Sequence, residues 1–265
     1  MTRLLRGALV ATLNRRGLVT LGCVVLLSAL SWWWLWHTGS AMPSSDMAGM
    51  DMSMPMGHSE PAWSADYIGA ATLMWAIMMV AMMLPSAAPM ILLFDVFSRK
   101  NGFGAAAPAV FVSAYLALWS AFALLAAVSQ AALVDAGLID AANLALGSAR
   151  LSALLLFAAA LYELSLLKRR CLSQCQSPAF YLAQHWRPGT FGAVRLGLRH
   201  GAYCVGCCAG VMLLLFVGGV MNLAWVAILA VVVLAEKSAP AAWHADRALA
   251  GVLLAAALGL LWLGR

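Results

Sequence analysis

Residues Gly201–Ala235 read GAYCVGCCAGVMLLLFVGGVMNLAWVAILAVVVLA, 35 positions without a charged side chain. As a single helix this stretch would reach about 52 Å, well beyond the roughly 30 Å of a bilayer's hydrocarbon core. Gly218, Gly219 and Asn222 supply turn chemistry near its middle, so the stretch predicts two short spans joined by a tight turn. The rest of the chain fits that class. Charged residues make up 10% of the 265 positions and hydrophobic ones 64%, whereas soluble domains carry about 25% charge. Runs of alternating polarity, the mark of a β-barrel, do not occur. The expected fold is all-α, a polytopic helical membrane protein.

Working outward gives about seven spans: Leu18–Trp36, Tyr67–Leu84, Ala106–Ala127, Leu151–Leu167, the two halves of Gly201–Ala235, and Leu249–Leu263. Three regions follow: a basic arm with the first span (1–36), a polar loop (37–66) and a helical membrane domain (67–265). Arg3, Arg6, Arg15 and Arg16 precede the first span, and Trp32, Trp33, Trp34 and Trp36 close it. That pattern predicts a cytoplasmic N-terminus in a bacterial inner membrane. With alternate loops inside, every Lys and Arg but Arg150 and Arg265 falls on the cytoplasmic side. The net charge of +6 therefore reports topology, not affinity for nucleic acid. Asp95, Arg99 and Lys100 read as an inside loop, as do residues 168–199 and the group Glu236, Lys237, His244, Asp246 and Arg247.

Five of the six cysteines flank or open the charge-free stretch. Cys171 and Cys175 form a CxxxC pair, and Cys204, Cys207 and Cys208 a CxxCC group. Each set falls on one face if its segment is helical. Two thiol groups brought together are suited to a soft metal, Cu(I) or zinc. The primary ligands expected are Cys204, Cys207 and Cys208, with Cys171 and Cys175 completing or exchanging with them. Met212 lies one turn beyond Cys208. Lys168, Arg169, Arg170 and Arg199 stand nearby as cations that would favour thiolate ligands. Cys23, alone in the first span, reads as packing. Glu163 sits close enough to Lys168 for a structural ion pair.

The polar loop, HTGSAMPSSDMAGMDMSMPMGHSEPAWSAD (37–66), carries Met42, Met47, Met50, Met52, Met54 and Met56, with His37 and His58 at its edges. A solvated methionine has no core to fill. Neutral, soft thioethers suit Cu(I) better than other common metals. The loop resembles the Met-rich repeats of periplasmic copper-resistance proteins. In the second span Met74, Met78 and Met82 repeat every four residues, as do Met79 and Met83, giving adjacent thioether rows. This MxxxM spacing is similar to the selectivity element of eukaryotic high-affinity copper transporters. Pro85 and Pro89 then predict a kink or a re-entrant segment.

The runs YELSLLKRRCLSQCQSPAF (162–180), HGAYCVGCC (200–208) and GGVMNLAWVAILAVVVLAEK (218–237), with the MW..M..AMMLPS..P element from Met74 to Pro89, resemble the bacterial predicted metal-binding integral membrane proteins. The resemblance covers about residues 67–260. It implies a shared fold and a metal site, but no established activity. Leu167, Gln176 and Ala209 depart from the family's usual proline, arginine and tryptophan.

These features predict a non-enzymatic, copper-handling membrane protein that captures, transfers or transports Cu(I). A periplasmic or cytosolic copper chaperone or a cuproenzyme would be its partner, and an oligomer is compatible with the sequence. The chain contains no nucleotide-binding or phosphorylation motif to drive export. Two alternatives stay open. One is a transmembrane thiol–disulfide oxidoreductase, which needs cysteines on both faces. The other is a structural zinc site, for which His185, His200 and His244 are additional candidate ligands.

Overall fold

The computed structural model describes residues 15–40, 62–140, 144–239 and 245–263. Ten helices and one two-stranded turn of sheet are found among them. In chain order they are α1 (Arg15–Ser40), α2 (Ala65–Lys100), α3 (Ala107–Asp135), β1 (Ile139–Asp140), β2 (Ala145–Leu146), α4 (Ala149–Glu163), α5 (Leu166–Gln176), α6 (Pro178–His185), α7 (Gly189–Leu213), α8 (Leu215–Gly218), α9 (Leu223–Ser238) and α10 (Ala245–Leu263). The all-α expectation holds apart from the small antiparallel pair, in which Ile139 faces Leu146 and Asp140 faces Ala145.

The expected spans are matched in part. Among the described residues five helices (α1, α2, α3, α7 and α10) are long and apolar enough to cross a membrane, and α4 with α5 makes a sixth if a bent pair counts as one span. The predicted break in the charge-free stretch lies where expected. Gly219 adopts φ +89°, a left-handed conformation that glycine enters without a Cβ penalty. Asn222 then caps α9, its Oδ1 accepting from the Trp225 backbone N–H at 3.1 Å. The second half of the stretch, α9, has only 16 residues, about 24 Å of helix, and falls short of a full span.

The proline pair does not interrupt the second span. α2 runs unbroken for 36 residues with Pro85 and Pro89 inside it, so the re-entrant segment expected there is absent. In the turn around them the Met83 carbonyl also accepts from Ser86 Oγ at 2.8 Å and from Tyr115 Oη at 3.4 Å. α2 also swallows the expected inside loop, since Asp95 is buried and bridges to Arg99 at 3.3 Å within the helix. The sharp bend falls elsewhere, 62° between α4 and α5. There Ser165 caps the new helix by accepting from the Lys168 N–H at 3.1 Å.

α2 and α7 form the centre, each with more than half of its most apolar window buried, while α1 and α10 are peripheral. The main packing pairs are α3 with α7, α2 with α3, α10 with α4, and α1 with α2. Two devices hold the centre. Trp75 Nε1 on α2 donates to Gln130 Oε1 on α3 at 2.8 Å, and Gln130 Nε2 donates to Tyr67 Oη at 2.9 Å. Gly197 lets α7 approach α3, because a Cβ there would lie 2.4 Å from the Phe111 carbonyl oxygen and 2.9 Å from Ala114 Cβ. Gly197→Ala should therefore destabilise the bundle by about 1–3 kcal/mol, the usual cost of overpacking. Thermal unfolding in detergent checks this, with Gly259→Ala, where a Cβ meets nothing within 4 Å, as the neutral control.

Glu163 and Lys168 pair as expected, but deeper and with a third member. Lys168 and Glu163 are fully buried, and Lys168 Nζ bonds Glu163 as well as both oxygens of Glu236 on α9 at 2.8 Å. Glu236 is thus no loop residue; it is 4% exposed. Cys23 lies exposed on α1, which corrects its reading as packing.

Candidate metal centre

The segment expected to be a thiol-bearing loop is helical. α5 carries Cys171 and Cys175, and α7 carries Cys204, Cys207 and Cys208. Helical spacing presents each group on one face, and α5 packs directly on α7. Cys204, Cys207 and Cys208 are 1–2% exposed. Their sulfurs lie inside the bundle and not on a loop.

Four cysteines converge around Cys207. Its Sγ lies 3.5 Å from Cys208 Sγ and 3.8 Å from Cys175 Sγ. It also donates to the Cys204 carbonyl at 3.2 Å. Cys171 stands apart. Its sulfur packs against Gly206, where an added Cβ would come within 2.7 Å of it, and no thiol–thiol hydrogen bond joins it to the others. Among the described residues no group of three or more His, Cys, Asp and Glu side chains is already arranged to hold a metal. The thiols are neighbours, not a finished cage. Metal binding would draw them together, as it does in many proteins where ion and fold close in concert.

Cys204 has its own surroundings. Tyr115 Oη lies 3.0 Å from its Sγ, and Lys237 Nζ donates to the same sulfur at 3.0 Å. Lys237 also donates to Ser86 Oγ at 2.9 Å and reaches Met83 Sδ at 3.9 Å. One ammonium therefore touches both the thiol group and the last thioether of the Met79–Met83 row. Three of the four cations expected beside the thiols are engaged elsewhere: Lys168 with its two glutamates, Arg169 with Asp246 at 3.2 Å, and Arg199 with Tyr203 Oη at 3.4 Å. In sequence Lys237 reads as a loop residue, and no local pattern marks Tyr115 or Ser86. The one signal in the sequence was the Glu236–Lys237 pair closing a long charge-free run.

The methionine rows of α2 face the protein interior. Met78, Met79, Met82 and Met83 are 0–2% exposed and Met74 is half-buried. Met212 is buried as well. The loop residues Met42, Met47, Met50, Met52, Met54, Met56 and His58, and also His244, lie outside the described residues. His200 stacks on Tyr115 with ring centroids 5.7 Å apart, and His185 Nδ1 is 2.9 Å from the Tyr181 carbonyl; neither joins the thiols.

The profile of a family described as PpoB2, copper chaperone, matches residues 72–260. This interval contains the thiol group, Lys237 and all of the α2 methionines from Met74 onward. No curated protein and no solved structure matches the chain.

Proposed function

The chain belongs to the PpoB2 copper chaperone family, and from that premise we propose that it binds Cu(I) within a membrane and passes it between thioether and thiol ligands. The carrying observation is the meeting of two soft-ligand systems at Lys237: Met83 on α2 and Cys204 on α7 lie within 3.9 and 3.0 Å of one ammonium. Thioethers bind Cu(I) neutrally and weakly, and thiolates bind it tightly. A path from the first to the second therefore runs downhill in affinity. Met79 and Met83 are one helical turn apart, about 6 Å between side-chain origins, a distance that flexible methionines bridge. Cys175, Cys204, Cys207 and Cys208 are the retaining ligands in this reading, and the loop methionines together with His58 collect the ion on the opposite, periplasmic side. The seat is the bacterial inner membrane, with a donor or acceptor protein on either side. The exposed leucines, valines and tryptophans that line α1 and α10 support a lipid-facing exterior. No organic substrate is turned over.

Reconstituted vesicles test the relay. Cu(I) is supplied on the loop side, and its arrival at the thiols is followed by protection of Cys204, Cys207 and Cys208 from alkylation. Met83→Leu should slow arrival by about tenfold, the scale of losing a supporting group near a metal, and leave final occupancy unchanged. Equal rates in wild type and variant would refute the relay.

A further inference from the structure

A cavity of about 210 Å³ lies where the last turns of α1 meet α2 and the turn before α9. Three methionines line it, Met74 and Met78 from α2 and Met221 from the turn after Gly219, together with Trp34 and Thr38 of α1. We propose that this cavity is a distinct Cu(I) docking site, in which Met74, Met78 and Met221 form a three-thioether shell upstream of the thiols. The inference rests on the relay reading above and extends it to a ligand set from a second element.

The lining decides the occupant. The wall offers little to hold water. The Thr38 hydroxyl is already committed, donating to the Trp34 carbonyl at 2.9 Å. Hard divalent ions need six or more oxygen ligands, and no carboxylate or amide side chain lines the cavity. Thioethers with an aromatic ring beside them match a soft monovalent cation. Placement fits as well. Thr38 stands at the end of α1 from which the methionine-rich loop departs. Met78 belongs to the row that continues to Met82, and Met79 and Met83 form the adjacent row that ends at Lys237 and Cys204. Met221 is the informative residue, because no periodicity of α2 accounts for it. The left-handed turn at Gly219 brings it to the α2 methionines.

The test uses the full-length chain with Cys171, Cys175, Cys204, Cys207 and Cys208 changed to serine and the six loop methionines changed to leucine. Titration with Cu(I) against a chromogenic chelator should give one bound ion, and X-ray absorption should show sulfur neighbours only. Met221→Leu or Met74→Leu should each weaken that binding by about tenfold or more. Met90→Leu, on the same helix but away from the cavity, should not. No bound ion in this background, or unchanged affinity in Met221→Leu, would overturn the site. A second arm avoids the many substitutions: in the otherwise wild-type chain Met221→Leu should slow copper delivery to the thiols without lowering final occupancy. Unchanged delivery would count against the site. Failure of the thiol reading shows itself separately, as copper that survives dialysis against a competing chelator when Cys204 and Cys207 are replaced and Met74, Met78 and Met221 are leucine.

Discussion

Cys204→Ser combined with Cys207→Ser should reduce the copper that survives dialysis against a competing chelator from about one ion per chain to none, an affinity loss of roughly two orders of magnitude or more; the same dialysis empties the weaker thioether site. Cys207 is the hub, with Cys208 and Cys175 at 3.5 and 3.8 Å, and Cys204 shares Lys237 with Met83. Serine hydroxyls are harder and less acidic than thiols, so they cannot substitute as Cu(I) ligands. The serines are close in size to the cysteines and the helices should persist. Size-exclusion profiles and melting temperature should therefore remain near wild type while metal content falls. Cys171→Ser provides the contrast. Its sulfur is packed on Gly206, away from the thiol contacts, and the variant should keep most of its copper. Equal losses in Cys171→Ser and the double variant would show that the cluster is drawn wrongly.

Lys168→Met should be the most destabilising single substitution in the α4–α5–α9 region. The lysine is the only cation joining Glu163 and Glu236 among the described residues, and all three side chains are out of contact with the surroundings. Removing one partner of a buried ionic group typically costs about 3–5 kcal/mol, because the remaining charges are left without compensation. Here two carboxylates are left. Replacing the whole group, Lys168→Met with Glu163→Leu and Glu236→Leu, should recover much of that loss, since hydrophobic residues of similar volume are often tolerated in place of a buried ion group. Thermal unfolding of the single and triple variants in detergent separates the cases. A single variant melting within about 2 °C of wild type, a shift worth at most about 1 kcal/mol, would contradict the account. The group also matters for the metal centre by position, since Glu236 immediately precedes Lys237 and fixes where α9 presents it.

The sequence revealed the elements that local patterns encode. Helical spacing placed Cys204, Cys207 and Cys208 on one face and paired Met79 with Met83. The glycines and Asn222 marked the turn before α9. Glu163 and Lys168 were near enough in sequence to be matched. What escaped notice depends on contacts between distant segments. Lys237 meets Met83 across more than 150 residues, Tyr115 meets Cys204 across 89, and Met221 joins Met74 only through the fold. Helices that are apolar on all sides carry no amphipathic stripe to say which face turns inward. Proline is a strong signal against helix in water, yet Pro85 and Pro89 lie inside an unbroken α2. The real bend, at Ser165, has only a serine cap to announce it. Cys171 shares its helix face with Cys175 but not its neighbours, a distinction that spacing alone does not make.

The measurement that bears most directly on the central claim is metal analysis of the purified full-length chain, combined with X-ray absorption at the metal edge. The account predicts copper, as Cu(I), in a sulfur-only shell, with that copper lost in the variant lacking Cys175, Cys204, Cys207 and Cys208. Zinc held by the same cysteines, or copper retained undiminished without them, would contradict it.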